Sequence, residues 1–277
     1  MKNKALLVGI NAYPNPSNQL RGCVNDIVDM ENFIASKNKI YQRENIRTLT
    51  DSRATKKGIL AALDWLILGA TAGDQILFQY SGHGAQVPSQ IPSFEKDGLD
   101  EIICPYDFED ENGSTGTGAN AISDKEFAQL FAKIPKGVHF VWISDSCHSE
   151  DLSRKQEIEV EENTSTLFRR FNQARQNKTM DSNLNFSVGS NLSVGLSNLN
   201  GALLSGCASH QLSADAYIQN RFNGAFTHYL IQNLSHYGHN TAMRSIVDYV
   251  NQDLIKNGFD QNPKIEGALA LSTFFKS

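Results

Sequence analysis

The sequence contains the segment Val138-His-Phe-Val-Trp-Ile-Ser-Asp-Ser-Cys-His-Ser149, in which a mostly apolar run is followed by polar residues and a cysteine. A similar arrangement occurs earlier, where the apolar run Ile76–Gln79 is followed by Tyr80-Ser-Gly-His-Gly84. Short apolar runs of this kind are typical of buried strands. Because open α/β sheets carry their chemistry at the carboxyl ends of the strands, we predict that His83 and Cys147 lie at one edge of a sheet.

Other apolar runs alternate with helical patterns along the chain. This alternation predicts an α/β fold, with a mostly parallel central sheet flanked by helices on both faces. Strands are expected at residues 5–10, 46–49, 74–79, 138–143, 202–208 and 268–274. Helices are expected at about 20–33, at 56–68, from the capping box Ser123-x-x-Glu126 to about 134, at 225–234 and at 243–255.

The composition of the chain changes after residue 150. Residues 151–200 are polar, rich in Asn, Ser and Gly, and contain a degenerate repeat, Ser182-Asn-Leu184 followed by Ser190-Asn-Leu192. Such a segment offers too little apolar surface to form a core, so we expect a long flexible loop. The 277 residues are therefore predicted to form a single domain (1–277), in which the loop 151–200 joins a larger part (1–150) to a smaller one (201–277).

Composition and charge restrict the possible functions. The chain is 40% hydrophobic and 20% charged, as in ordinary soluble globular proteins, and no run approaches the roughly 18 apolar residues of a membrane span. A formal charge of −5 without a long basic stripe argues against a nucleic-acid partner. The first strand begins near Lys4, which leaves no room for a signal peptide, and the four cysteines are expected to be free thiols. We therefore expect a cytoplasmic protein without membrane or nucleic-acid partners.

The two polar segments suggest nucleophilic chemistry. A cysteine attacks as its thiolate, and a nearby imidazole can accept the thiol proton, so we predict a pair formed by Cys147 and His83. The alternatives are a buried structural cysteine, which is the expectation for Cys104 and Cys207, and a zinc site. A zinc site would need further ligands, and the chain contains no CxxC or HExxH motif. No metal site is therefore expected.

Five segments, in this order along the chain, resemble the metacaspases and their prokaryotic relatives the orthocaspases, which are caspase-like cysteine peptidases. They are Leu20–Asp26, Tyr80–Gly84, Asp97–Glu101, Asp145–Ser149 and Asn223–Thr227. The family usually has glycine after the Cys-His-Ser run, where this chain has Glu150. The resemblance implies a caspase-like fold, cysteine endopeptidase activity and protein or peptide substrates.

The resemblance also implies individual roles. Cys147 would attack the scissile carbonyl, and His83 would act as general base and then as general acid. The backbone amides of Gly84 and Cys147 would form an oxyanion hole. The pocket for the residue before the scissile bond would be formed by Asp26, Asp145, Ser81 and Cys23. Two aspartates in that pocket imply cleavage after arginine, with lysine second. Taken alone, Cys23 is equally well explained as a core residue, and Asp26 as a solvent-facing helix charge.

The loop and the acidic residues raise two further expectations. Four basic residues of the loop are candidate self-cleavage sites: Arg169, Arg170, Arg175 and Lys178. Many metacaspases require calcium, which they hold with aspartates outside the active site. Candidate oxygen ligands in this chain are Asp97, Asp100, Glu101 and Asp124. The acidic run 107–113 lacks the spacing of an EF-hand loop, and we expect no cofactor, with calcium dispensable.

Two other functions remain open from the sequence. The first is a catalytically inactive caspase-like module that binds peptides or partner proteins, and the second is a thioesterase or amidase using the same Cys–His pair. The presence of both His83 and Cys147 favours an enzyme over a binding module. The paired acidic positions favour a peptidase over a thioesterase. The sequence does not fix the oligomeric state, for which a monomer is the expectation.

Overall fold

The computed structural model describes residues 2–36, 40–88, 99–109, 119–146, 167–169, 201–208, 211, 213–238 and 240–276, for a few of which, including 167–169, only the backbone is described. Several residues with predicted roles lie outside these ranges: Asp97, Cys147, Arg170, Arg175 and Lys178. Within the described part of the chain, no helix combines the length and the hydropathy that a membrane crossing requires.

The elements are numbered along the chain. The strands are β1 (Lys4–Gly9), β2 (Ile46–Thr50), β3 (Gln75–Ser81), β4 (Gly84–Pro88), β5 (Leu99–Ile103), β6 (Ile122–Ser123), β7 (His139–Asp145), β8 (Leu167–Arg169), β9 (Gly201–Ser205), β10 (Ala214–Ile218), β11 (Arg221–Gly224) and β12 (Lys264–Glu266). The helices are α1 (Cys23–Ser36), α2 (Lys56–Ile67), α3 (Asp124–Phe131), α4 (Ala225–Tyr237) and α5 (Met243–Lys256).

A six-stranded sheet in the order β12-β9-β7-β3-β1-β2 forms the centre of the fold. All neighbouring pairs are parallel except β12 with β9, which is antiparallel. Two smaller antiparallel sheets, β4-β5-β6 and β11-β10-β8, flank it. The mostly parallel α/β sheet predicted from the alternating pattern is therefore confirmed.

Helices cover both faces of the central sheet. Successive side chains of a strand point to opposite faces, so each buried strand contributes to both layers of the core. On one face, Phe78 and Tyr80 of β3 pack with apolar residues of α2 and α3. On the other face, Leu77 belongs to a core shared with α1, α4 and α5. Helix α3 begins with the predicted capping box, in which the Ser123 and Glu126 side chains each accept from the other residue's backbone N–H.

The structure corrects the predicted position of the last strand. The final strand is β12, at Lys264–Glu266, and not residues 268–274. Gly267 follows it with φ +102°, which turns the chain out of the sheet. Leu269, Ala270, Phe274 and Phe275 beyond it are buried in turns without forming a strand, whereas Leu271 is exposed. An apolar run in the sequence does not by itself distinguish a strand from turns that bury apolar side chains.

Candidate active site

His83 lies between β3 and β4, and its imidazole is held by a backbone carbonyl. The ring Nε2 is 2.7 Å from the carbonyl oxygen of Asn18, in the loop between β1 and α1. A carbonyl only accepts hydrogen bonds, so Nε2 carries the proton and, in the neutral ring, Nδ1 carries the lone pair. His83 is almost completely buried, with 4% of its surface exposed. The imidazole is therefore oriented with Nδ1 as the atom that can accept a proton.

The loop that carries Asn18 is fixed at several points. The carboxylate oxygen Oδ1 of Asp51 accepts from the backbone N–H groups of Asn11 and Ala12, each at 2.8 Å. The backbone N–H of Leu20 donates to the Asn11 carbonyl over 2.9 Å. The sequence offers no signal for this contribution to the site, because the group that contacts His83 is a main-chain carbonyl, which every residue has.

The segment that leads to Cys147 lies beside the segment that leads to His83. Strands β3 and β7 pair in parallel along their whole length, with Ser81 opposite Asp145. After β7, the carbonyl of Ser146 accepts from the thiol of Cys207 over 3.5 Å. The neighbouring carboxyl ends of these two strands agree with the predicted arrangement, although Cys147 itself lies outside the described residues. Gly84, predicted to serve the oxyanion hole, begins β4 opposite Ile103.

Asp145 is completely buried at the end of β7, and its carboxylate caps the amino terminus of helix α4, which lies far along the chain. Helix α4 begins after Gly224, whose lack of a side chain leaves the first turn without an N-cap acceptor of its own. The Asp145 carboxylate instead accepts from the backbone N–H of Thr227, at 3.1 Å, and from its hydroxyl, at 2.6 Å. The hydroxyl of Ser213 also donates to it. The amino terminus of a helix favours negative charge, which stabilises this carboxylate away from water.

Asp26 approaches the same helix terminus from α1. It is completely buried, and its Oδ1 accepts from the backbone N–H of Gly224 over 2.7 Å. Helix α1 can pack closely on the sheet because Gly9 has no side chain, and a Cβ there would lie 2.6 Å from the Cys23 carbonyl oxygen. Two aspartates far apart in the sequence thus converge on the start of α4. Burial excludes the solvent-facing alternative for Asp26.

Ser81 of β3 is paired with Asp145 of β7 across the sheet. Ser81 and Cys23 are both buried. Within the described part of the chain, the Ser81 hydroxyl and both amide atoms of Gln79 are buried without a hydrogen-bond partner. Gln79 is two residues before Ser81 on β3, so both side chains point to the same face. Buried polar atoms without partners are uncommon and indicate a place for a ligand or for water.

The candidate calcium ligands do not form a metal site among the described residues. Asp100 and Glu101 lie on β5, and Asp124 begins α3. The ammonium of Lys125 forms an ion pair with Asp100, with the nitrogen 2.5 Å from the carboxylate oxygen. No group of three or more His, Cys, Asp and Glu side chains in the described ranges is arranged to hold a metal ion. Asp97, the fourth candidate ligand, lies outside the described residues, so the dispensability of calcium stays a prediction.

One short strand lies within the segment predicted to be an irregular loop. Strand β8 pairs antiparallel with β10, and Arg169 is opposite Ala214. Ala214 follows Ser213, the residue whose hydroxyl contacts Asp145. Residues 167–169 thus form a strand within the predicted flexible loop 151–200, the remainder of which lies outside the described residues.

Comparisons with known proteins identify the family. A model of the metacaspase peptidase C14 domain matches residues 3–154. Metacaspase-1A of Aspergillus niger is 42% identical over 155 residues, which are 53% of this chain and 36% of that protein. Metacaspase-1 of Coccidioides immitis is 41% identical over 155 residues, 53% of this chain and 31% of that protein. The chain thus spans about a third of the length of the curated relatives it matches.

Solved structures share the fold over nearly the whole chain. Protein GSU0716 of Geobacter sulfurreducens has a TM-score of 0.65 at 23% identity, covering 99% of this chain and 97% of that one. Caspase-1 of Spodoptera frugiperda has a TM-score of 0.53 at 9% identity, covering 96% and 86%. The fold is therefore caspase-like. Together with the matching family model, these observations establish that the chain belongs to the metacaspase family of cysteine-type peptidases.

Proposed function

We propose that this chain is a cysteine endopeptidase that uses the His83–Cys147 dyad and cleaves after arginine, with lysine second. The observation that carries the proposal is the convergence of Asp26 and Asp145 on the start of α4, at the edge of the sheet where His83 lies. Membership of the metacaspase family supports the reaction type.

The orientation of His83 suggests how the reaction proceeds. Nδ1 of His83 takes the proton of the Cys147 thiol, and the thiolate sulfur attacks the carbonyl carbon of the scissile bond. The backbone amides of Gly84 and Cys147 stabilise the resulting oxyanion. When the C–N bond breaks, the imidazolium returns its proton to the leaving amine, and a thioester remains on Cys147. Water, deprotonated by His83, then hydrolyses the thioester and releases the acid and the free thiol.

The acidic pair explains the choice of residue before the scissile bond. A guanidinium presents a planar fork of N–H donors that suits carboxylate oxygens, while an ammonium presents a compact point charge on a flexible stem. The Ser81 hydroxyl and the Gln79 amide, which have no partner among the described residues, are further groups that a bound basic side chain can use. A neutral side chain would form no charge-assisted hydrogen bond with the carboxylates of Asp26 and Asp145.

Self-cleavage in the segment 151–200 is part of the proposal. Among the four candidates, we favour Arg169, because β8 adds to β10 as an extended strand whose last residue lies opposite Ala214. Extended peptides commonly bind by adding a strand to a sheet edge. Ala214 adjoins Ser213, which contacts Asp145, so the backbone of Arg169 lies near the proposed pocket. Arg170, Arg175 and Lys178 remain candidates outside the described residues.

We infer that calcium is dispensable, because the ammonium of Lys125 already supplies a positive charge beside Asp100. The substrates we propose are proteins or peptides with accessible arginine or lysine. We also propose a cytoplasmic location, because Cys23, Cys104 and Cys207 are buried cysteines outside any disulfide among the described residues. A monomer is supported by the shortness of the edge strand β12, which has three residues.

Release of a fluorophore from short peptides ending in Arg, Lys, Asp or a neutral residue tests the proposal. The wild type and Cys147→Ala are compared with calcium and with a chelator. Turnover of Arg and Lys peptides that disappears in the variant supports the peptidase, and equal rates with chelator support calcium independence. If the wild type cleaves none of the peptides but binds them, the chain is a binding module. Equal turnover of all four peptides would instead favour a general amidase.

A further inference from the structure

Two tyrosine hydroxyls hold the backbone of His83 from both sides. The His83 N–H donates to Tyr13 Oη over 2.9 Å, and Tyr80 Oη donates to the His83 carbonyl over 2.7 Å. The ring of Tyr13 also lies against the imidazole, with the two ring centroids 4.6 Å apart and the planes inclined by 39°. Tyr13 therefore contacts both the main chain and the ring of His83.

The protons of the two phenols are fully used in this arrangement. Because Tyr13 Oη accepts from the amide of His83, its own proton is directed to the carbonyl of Cys104, 3.0 Å away. The two hydroxyl oxygens are 3.3 Å apart, and both residues are buried. Burial raises the pKa of Tyr13 and of Tyr80 well above the ordinary value for tyrosine, so both remain protonated donors.

Gly82, which precedes His83, packs closely against the hydroxyls of Tyr13 and Tyr80. A Cβ at Gly82 would lie 2.6 Å from Tyr80 Oη and 2.9 Å from Tyr13 Oη, which is closer than real contacts allow. The turn between Ser81 and His83 is therefore pressed against the two phenols. This close approach limits how far the backbone of His83 can move.

We propose that Tyr13 is a positioning residue for His83, and that Tyr80 is a second, weaker one; this inference rests on the proposed peptidase function. Tyr13 and Asn18 belong to the same loop, so one segment holds the amide, the ring face and the Nε2–H of His83. Together these contacts fix the position of Nδ1. Proton transfer from a thiol requires that position to be accurate, since misplacement of reacting groups by about 1 Å can reduce a rate by about a hundredfold.

Tyr13→Phe keeps the ring and removes only the hydroxyl. We expect kcat/KM for an Arg peptide to fall about tenfold, with most of the loss in kcat. The acid limb of the pH profile of kcat/KM should move to higher pH, because a loosely held imidazole stabilises the thiolate less well. The rate at which iodoacetamide alkylates Cys147 reports the reactivity of the same thiolate without a peptide substrate. The rate measured for Cys147→Ala is subtracted as the background from the other cysteines.

Tyr80→Phe should produce a smaller shift in the same direction. The His83 carbonyl keeps the backbone N–H of Cys104 as a donor, at 2.9 Å, when the Tyr80 hydroxyl is removed. This variant also tests the inference if Tyr13→Phe does not fold. Tyr41→Phe is the matched control, since Tyr41 is a buried tyrosine that packs in the core on the opposite face of the sheet. Its pH profiles should equal those of the wild type.

Thermal denaturation of all variants separates positioning from stability. A lower Tm for Tyr13→Phe with unchanged alkylation and activity profiles would overturn the positioning role, and so would an equal shift in Tyr41→Phe. The failure of the proposed function would look different. In that case wild-type Cys147 would react as an ordinary thiol with a pKa of about 8.5, and no peptide would be cleaved, which would overturn both proposals together.

Discussion

The Nε2–H of His83 donates to the backbone carbonyl of Asn18 over 2.7 Å, and this contact determines which ring nitrogen is available as a base. The accepting carbonyl lies in a loop that the Asp51 carboxylate holds through the amides of Asn11 and Ala12. Accurate placement of His83, the proposed base, therefore depends on a side chain from the turn after β2, which itself takes no part in the proposed reaction.

Asp51→Ala should loosen this loop and displace His83. We expect the free energy of unfolding to fall by about 1–2 kcal/mol, because the half-buried amide of Asn11 and the exposed amide of Ala12 lose their charged acceptor. The kcat/KM for an Arg peptide should fall about tenfold as the base moves. Asp51→Asn keeps one acceptor oxygen, and asparagine tolerates the φ of +47° at this position. This variant should therefore retain most of the free energy of unfolding and most of the kcat/KM. Equal behaviour of Ala and Asn would argue against the loop as the support of His83.

Gln79 and Gln75 provide a matched pair on one strand. Both are buried on β3, but Gln75 exchanges two hydrogen bonds with the backbone of Lys276, whereas Gln79 has no partner among the described residues. Gln79→Met should raise the free energy of unfolding by about 1 kcal/mol, while Gln75→Met should lower it by about 1–3 kcal/mol. Chemical denaturation measures both. A loss of stability in Gln79→Met would show that its amide is satisfied in the folded protein.

The stability of the fold should fall as the pH decreases below about 6.5, in part because of His139. Burial lowers the pKa of His139, whose Nε2 bonds the Phe274 carbonyl at 3.1 Å. The unfolded chain therefore binds a proton on His139 more readily than the folded protein does. The contribution of His139 to the stability of the fold is fully present above the pKa of the unfolded chain. It is lost as the pH falls from that value through the lowered pKa of His139 in the folded protein. Urea titrations should show a weaker pH dependence in His139→Gln than in the exposed control His236→Gln. An identical dependence in the two variants would refute the assignment.

Cleavage after Arg169 should be visible by mass spectrometry of the incubated chain. Arg169→Ala should delay or abolish the fragment that ends at residue 169, because β8 presents this position beside β10. Arg175→Ala serves as the control within the same segment, and Cys147→Ala should remain intact. Fragments that end at residue 175 but not at 169 would show that the β8 pairing does not direct self-cleavage.

Several features could be predicted from the sequence because their signals are local. The apolar runs before His83 and Cys147 identified β3 and β7, and the spacing of Ser123 and Glu126 identified the start of α3. Local patterns also located the helices that became α4 and α5. These features depend on neighbouring residues, whose periodicity and capping chemistry are readable without the rest of the chain.

Other features depend on contacts between distant segments and have no local signal. The Asn18 carbonyl is a backbone group, and the capping of α4 by Asp145 requires β7 to end beside a helix that begins about eighty residues later. Strand β8 lies in a polar segment whose composition suggests no structure, and its three residues form a strand only because β10 offers an edge. The turns at 268–275 resemble a strand in the sequence because they also bury apolar residues, among them Leu269 and Phe274.

The most direct test of the account compares Asp26→Asn with Asp29→Asn on peptides that end in Arg and in a neutral residue. Asparagine keeps the oxygen that accepts from Gly224 and removes only the charge, while Asp29 is a half-exposed aspartate on the same helix that pairs with Arg221. We predict that kcat/KM for the Arg peptide falls about 10- to 100-fold in Asp26→Asn, as expected for one lost charge-assisted contact, and that the neutral peptide and the control variant change little. An equal loss on both peptides, or an unchanged preference for arginine, would contradict the assignment of the acidic pair as the specificity pocket.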